Sequence, residues 1–325
     1  MNEKYWIGFD LGGTKMLATV FNEKFTSIGQ KRRKTKSHEG IEAGLKRMIQ
    51  TINDALNNSG ISADQLSGIG VGCPGPLDLD KGVILDLPNL GWENAPVKEV
   101  LESAFHCPVA IVNDVDAGVY GEYRMGAAKK AHCVVGVFPG TGIGGGCVYN
   151  GKLIRGKTGS CFEIGHIPVF KDGPLCGCGR RGCLEAIAGR LAISSAAAAA
   201  VFRGEAPYLL ENAGTDLSNI KSGTLARSIA AGDKAIEQII RHAASILGYS
   251  LSGIINLMSP DIVLLGGGLP EAMPKLYTEE VSNAIKNQVM PIYDGTYKIV
   301  LAKLGDDATV TGAATWVQES TTNKK

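Results

Sequence analysis

The chain has 325 residues, 44% of them hydrophobic and 20% charged, with a formal net charge of +1. That length favours two cores over one, and the near-neutral balance excludes an electrostatic case for nucleic acid or a membrane surface as partner. No uninterrupted run of about 18 apolar residues marks a membrane span, no signal peptide opens the chain, and eight cysteines without an export signal read as reduced thiols or metal ligands of a cytoplasmic protein.

The first strand-like run, 5–10, ends on Asp10 and passes through Gly12, Gly13, Thr14 and Lys15 into a second apolar run, 16–21. Glycines there let backbone N–H groups approach a polyphosphate. Thr14 offers a hydroxyl, Lys15 a positive charge, and Asp10 a carboxylate that can hold Mg2+ through water. Gly8 and Gly13 have the Walker separation, but Thr14-Lys15 reverses the Walker order and a β-run stands where its helix should start. The basic run Lys31-Arg32-Arg33-Lys34 reads as a solvated strand edge.

Helical patterns over 40–57 and 97–105 then alternate with strands over 66–72 and 109–113. Asn113 and Asp114 stand at the carboxyl end of the latter strand, where α/β proteins place their chemistry. Asp114 can take the proton of an attacking sugar hydroxyl as a phosphoryl group transfers. Either residue could equally be an ordinary cap for the helix expected over 116–125.

Strands over 133–138 and 146–149 flank a second loop, Gly140-Thr141-Gly142-Ile143-Gly144-Gly145-Gly146. Laid over the first loop, Gly12 meets Gly140, Val20 meets Val148, Asn22 meets Asn150 and Lys24 meets Lys152, an offset of 128. Gly140, Gly142 and Gly145 match a dinucleotide fingerprint literally, yet residues 144–151 read as strand and turn, not as the helix that fingerprint must open. Either loop alone would be an ordinary glycine hairpin. Two related loops plus Asp10 point to a duplicated fold that holds a nucleotide for phosphoryl transfer.

Cys176, Cys178 and Cys183, with His166 upstream, make a Cys3His set suited to a tetrahedral, structural Zn2+. Gly177, Gly179 and Gly182 allow the tight turns such spacing needs. Glu163 and Glu185 are tethered beside this cluster, placed to hydrogen-bond sugar hydroxyls, although each alone would read as a surface carboxylate. Helices are expected over 184–202, 234–258, 272–289 and 308–318, and strands over 261–265 and 298–302. Gly266, Gly267 and Gly268 close the strand at 261–265 and offer backbone for an adenosine to lie against. The expected lobes are 1–115, with the helix at 308–325 packing back on it, and 116–307, which carries the zinc loop 161–185.

Together the stretches DLGGTK (10–15), GCPGPLD (72–78), ND (113–114), GTGIGGG (140–146), EIGH (163–166), CGCGRRGCLE (176–185) and LLGGG (264–268) resemble the ROK family of sugar kinases and repressors, within the actin/hexokinase-like ATPase superfamily. The resemblance implies an α/β, two-lobed, ribonuclease H-like fold with duplicated mixed-sheet domains and a central cleft. It implies ATP- and Mg2+-dependent phosphorylation of a hexose at its 6-hydroxyl, with glucose the first acceptor to expect and N-acetylmannosamine or N-acetylglucosamine the alternatives. Asp114 becomes the general base. Asn113, Glu163, His166 and Glu185 become sugar contacts, and Gly75 and Asn89 line the sugar site. His166 would serve zinc with one ring nitrogen and the sugar with the other. Homodimers or homotetramers are implied as well. Asp116 stands where the family often has Asn. Only nine residues precede Asp10, too few for the amino-terminal helix-turn-helix of the family's repressors. A catalytically idle sugar sensor would be expected to lose the base or loop groups, and a zinc dehydrogenase would bind nicotinamide at 140–146.

Overall fold

Apolar on both faces, the run Tyr5–Leu11 (β1) can be satisfied only by neighbours on both sides. In the computed structural model, which describes residues 3–87, 90–157 and 159–322, it is the middle strand of a five-stranded sheet. The chain turns back through Gly12 as β2 (Lys15–Phe21), antiparallel to β1, and β3 (Ser27–Lys34) forms the edge. Helix α1 (Gly40–Ser59) leads to β4 (Leu66–Cys73), which pairs parallel with β1. Next comes a small antiparallel sheet of β5 (Leu77–Asp78), β6 (Val83–Leu87) and β7 (Trp92–Ala95). Then α2 (Val97–Phe105) brings in β8 (Val109–Asn113), parallel to β4, and α3 (Asp114–Met125). The sheet order is β3-β2-β1-β4-β8.

The pattern then repeats. β9 (Cys133–Pro139) and β10 (Ile143–Tyr149) form an antiparallel hairpin whose four bounds are those of β1 and β2 plus 128. The short strand β11 (Lys152–Leu153) starts a segment that belongs with the first unit. Helices α4 (Glu185–Ala188), α5 (Arg190–Phe202), α6 (Pro207–Ala213), α7 (Ser222–Ala230) and α8 (Lys234–Met258) precede β12 (Ile262–Leu265), which pairs parallel with β9 as β4 does with β1. After α9 (Gly268–Ala272) and α10 (Pro274–Lys286), β13 (Lys298–Leu301) joins β12 in parallel. Helix α11 (Ala308–Thr322) closes the chain.

Two compact units result: residues 1–130, 151–161 and 306–325 make the first, and 131–150 with 162–305 the second. One face of the first sheet packs Ile7, Phe9, Ile69 and Val71 against Met48 and Ile52 of α1 and Leu101 of α2. The other face receives α11, whose Val310, Ala314 and Val317 meet Trp6 and Leu17. This second contact is close. A Cβ on Gly8 would lie 1.9 Å from the Val310 carbonyl oxygen, and one on Gly70 would lie 1.8 Å from that of Ala313.

Three departures from the sequence reading have local causes. The first unit runs beyond residue 115 because α3 packs on α11, where a Cβ on Gly312 would strike the Ala117 carbonyl oxygen at 1.7 Å. The strand expected at 146–149 begins at Ile143, so the glycines are part of the ladder. The helix expected over 184–202 is broken by extended Gly189 (ψ 153°) into α4 and α5. By length and composition alone 185–202 would pass for a membrane span; here it is split, and 39% of it is buried within the fold.

Replacing Gly70 with Ala should cost about 3 kcal/mol, since neither backbone can yield without moving the helix. A urea titration should show a lower midpoint at unchanged slope.

Candidate active site

In the first unit the carboxyl ends of three parallel strands come together, because register sets Asp10 beside Gly72 and Cys73 beside Asn113. Asn113 is the cap of α3, its Oδ1 accepting the N–H groups of Val115 at 2.9 Å and Asp116 at 3.2 Å. The cap role falls to Asn113, and Asp114 begins the helix, with its Oδ1 2.9 Å from the Val115 nitrogen. Gly75 lies beside this turn: a Cβ there would be 4.0 Å from the Asn113 amide nitrogen. Asp116 is buried within α3. Asn89 falls outside the described residues.

Asp10 is half-buried, and its acidity reports its neighbours. Burial, then the Asp114 carboxylate, then that of Asp306 push its pKa up to about 7, with Arg32 opposing them. Arg32 forms an ion pair with Asp306 at 2.9 Å. Gly13, Thr14 and Lys15 are exposed at the hairpin tip, and the Gly12 N–H donates to the Lys15 carbonyl at 3.0 Å. A residue that pattern reading missed braces this loop. Buried Thr35 donates its hydroxyl to the Gly12 carbonyl at 2.7 Å and its N–H to that of Thr14 at 2.9 Å.

In the second unit, the ligand atoms of His166, Cys176, Cys178 and Cys183 all lie within 4.8 Å of one another. His166 Nδ1 is 3.7 Å from Cys176 Sγ, and Cys178 Sγ is 3.7 Å from Cys183 Sγ. A tetrahedron with Zn–S arms of about 2.3 Å has edges of about 3.8 Å, so the donor set fits Zn2+. The Arg180 N–H holds the Cys178 thiol below its ordinary pKa, while burial raises Cys176 and pushes Cys183 up to about 12. Gly179 (φ 83°) and Gly182 (φ 72°) make the turns, and a Cβ on Gly182 would strike the Phe170 carbonyl oxygen at 1.6 Å. Gly177 has open space around it and is not required by the turn.

Glu185 joins this cluster to the second glycine loop. Its Oε2 accepts the Ile143 N–H at 2.9 Å, and the Cys176 thiol donates to its Oε1 at 3.7 Å. A Cβ on Gly142 would sit 2.1 Å from that Oε2, so Gly142 is needed for the carboxylate to reach the loop. The break at Gly189 aims the start of α5 at the same loop: the Arg190 N–H donates to the Gly140 carbonyl at 2.9 Å, and its Nη2 to Thr141 Oγ1 at 2.6 Å. Arg190 is a second residue that pattern reading missed. Glu163 precedes and His166 ends a 3-10 turn packed on β10, where a Cβ on Gly165 would meet the Ile143 carbonyl oxygen at 2.2 Å. Gly266 and Gly267 lie against Phe138 and Pro139, and Gly268 lies beside Ser222, lining with Arg190 and Lys221 a groove of about 500 Å³. Within this unit the loop 140–142, the triplet 266–268, Glu163, Glu185 and the metal ligands are thus gathered around the start of β10 and the end of β9.

The model of the ROK family matches residues 6–320. A glucokinase of Thermotoga maritima is 31% identical over 314 residues, 96% of this chain and 97% of its own length. A xylose repressor of Caldicellulosiruptor bescii is 28% identical over 96% of this chain, which spans 77% of the repressor. Among solved structures, a ROK family glucokinase from Streptomyces griseus in complex with glucose and AMPPNP superposes with a TM-score of 0.83 at 28% identity, over 97% of this chain and 99% of that one.

Between the ordinary carboxylate range near 4 and about 7, folded Asp10 holds a proton that the unfolded chain releases. It therefore weakens the fold progressively as pH rises through that window. Asp10→Asn should be the more stable protein at pH 8, by on the order of 2–4 kcal/mol, and match the parent near pH 4. Urea midpoints across that range check the sign. Cys178→Ser should lose bound zinc by elemental analysis, whereas Gly177→Ala should keep it.

Proposed function

Because the chain belongs to the ROK family, we propose that it is an ATP-dependent hexose kinase that phosphorylates glucose at the 6-hydroxyl. The observation that carries this reading is the meeting of Asp10, Asn113 and Asp114 at the carboxyl ends of β1, β4 and β8. A cluster of acids there serves a reaction that needs one base and one counter-ion seat.

In this reading Asp114 accepts the proton of the sugar's 6-hydroxyl. The freed oxygen attacks the γ-phosphorus, the bond to the β-phosphate oxygen breaks, and ADP leaves with that electron pair. Asp10 would hold Mg2+ through water, and the cation's charge would draw off the proton that its neighbours favour. Backbone N–H groups of Gly12, Gly13, Gly140 and Gly142, with Thr14, Lys15 and Thr141, would bind the phosphates, and Gly266, Gly267 and Gly268 the adenosine. Asn113, Gly75, Asn89, Glu163, His166 and Glu185 would hold the sugar.

Zinc would be held by His166, Cys176, Cys178 and Cys183, with four protein ligands and no open position, so its contribution is a rigid cross-link. With Nδ1 turned to the cysteines, His166 keeps Nε2 for a sugar hydroxyl. We expect the working form in the cytoplasm to be a homodimer or homotetramer.

Coupled ADP release with Mg-ATP against glucose, mannose, fructose, N-acetylglucosamine and N-acetylmannosamine tests the assignment. Preference for glucose supports it; preference for an N-acetylated sugar redirects the acceptor, and silence across the panel overturns the kinase. Asp114→Asn should lower turnover at least ~100-fold while leaving glucose affinity nearly intact, and near-normal turnover would remove Asp114 from its role.

A further inference from the structure

The first unit holds a second basin, away from its carboxylates. A cavity of about 440 Å³ opens along β8, the free edge of the sheet, with Val109, Ala110 and Ile111 as its floor. Trp316 and Glu319, near the end of α11, form one wall, and Lys98, Lys152 and Arg155 converge from the others. Asp306 precedes the start of α11, and this 15-residue helix rises about 1.5 Å per residue, so its two ends stand roughly 20 Å apart.

Charge on the walls is unbalanced. No ion pair among the described residues engages Lys98, Lys152 or Arg155. Glu319 is already committed to Arg124 at 3.4 Å and to the Tyr120 hydroxyl. That leaves exposed Asp80 as the opposing carboxylate. An adjoining basin shares Leu79, Asp80 and Arg155 and adds Lys157, while its Asp78 is paired with Lys81 at 3.4 Å. Three cations in this basin, with Lys157 in the adjoining one, thus face one uncommitted acid in a protein whose net charge is +1.

Two of these cations are held in place. Arg155 stacks its guanidinium over the Trp316 ring, 5.1 Å from the centroid. The stem of Lys98 lies over Gly82 (φ 69°), whose N–H and C=O are both bonded, the latter to the Lys98 N–H at 3.0 Å. A fixed guanidinium beside ammonium groups suits a compact dianion with several acceptor oxygens. The cavity size is that of a small-metabolite site.

We propose that this basin binds a small phosphate monoester, at a site separate from the carboxylate cluster. The phosphate would sit among Lys98, Lys152 and Arg155, and the organic part would lie over the apolar floor on β8. The shared chemistry is the phosphate group, whether it arrives on a sugar or as the free ion.

Trp316 supplies the readout, because Trp6 and Trp92 are only 5% and 1% exposed while Trp316 borders the basin. Tryptophan fluorescence of the full chain is monitored in titrations with glucose 6-phosphate and, separately, inorganic phosphate, in the absence of ATP. The parent should give a saturable change with glucose 6-phosphate. Trp316→Phe should abolish it, and the double variant Lys98→Gln, Lys152→Gln should weaken it at least about tenfold while its folding midpoint stays put. A response to inorganic phosphate as well supports a site that reads the phosphate alone; a response to the sugar ester only supports one that also reads the organic part. No change with either ligand, or an equal change in parent and double variant, would overturn the proposal. The readout needs no turnover, so it stands or falls apart from the kinase assignment.

Discussion

Helix α11 can lie on the first sheet only because β1 and β4 present no side chain at Gly8 and Gly70. Backbone meets backbone there, with the carbonyls of Val310 and Ala313 occupying the volume a methyl would need. The same helix touches α3 through Gly312 and Gly121, again at separations no Cβ would tolerate. Fixed this way, Thr309 reaches the Asp114 carbonyl at 3.3 Å, and Asp306 comes near enough to Asp10 to raise its pKa. Glycine packing thus sets the Asp306 contribution to the raised pKa of Asp10, which ranks after burial and the Asp114 carboxylate. Dispersion and close fit set the position, and electrostatics depends on it.

The second unit solves a similar problem with a carboxylate. Glu185 lies between the Ile143 N–H and the Cys176 thiol, so the metal loop and the glycine loop share one side chain. The extended residue Gly189 then allows α5 to start afresh and to donate to Gly140 and Thr141. A continuous helix over 184–202 could not do both, because the N–H groups of Arg190 and Leu191 would then donate to the carbonyls of Ala186 and Ile187 four residues back. The candidate metal ligands and the glycine loop are thus linked within the short stretch of chain from Cys183 to Gly189.

Much of this was legible in the sequence, since it depends on local order. The two hairpins declare themselves by apolar runs about a glycine turn, and their offset of 128 holds to the residue in the strands. The four candidate metal ligands are close along the chain, and the fold brings their atoms together. What stayed hidden depends on distant partners. Gly142 reads as a phosphate glycine, but its tightest constraint is the approach of Glu185 from 43 positions away. Thr35 and Arg190 carry no motif and act through the carbonyls and hydroxyl they reach. Gly177 shows the converse, a glycine that fits the motif and that the turn does not use.

The first unit is discontinuous, assembled from residues 1–130, 151–161 and 306–325, with all of the second unit inserted between its parts. On a ribosome this sets an order of events. All of the second unit is synthesised before the last helix, so every one of its residues precedes the element that covers the first sheet. The first sheet must wait with one apolar face uncovered. A chain halted before Ala308 would carry both glycine loops and every candidate metal ligand, yet Trp6 and Leu17 would face water. A chain truncated there would hold the candidate metal ligands but lack the helix that meets the Asp114 turn through Thr309.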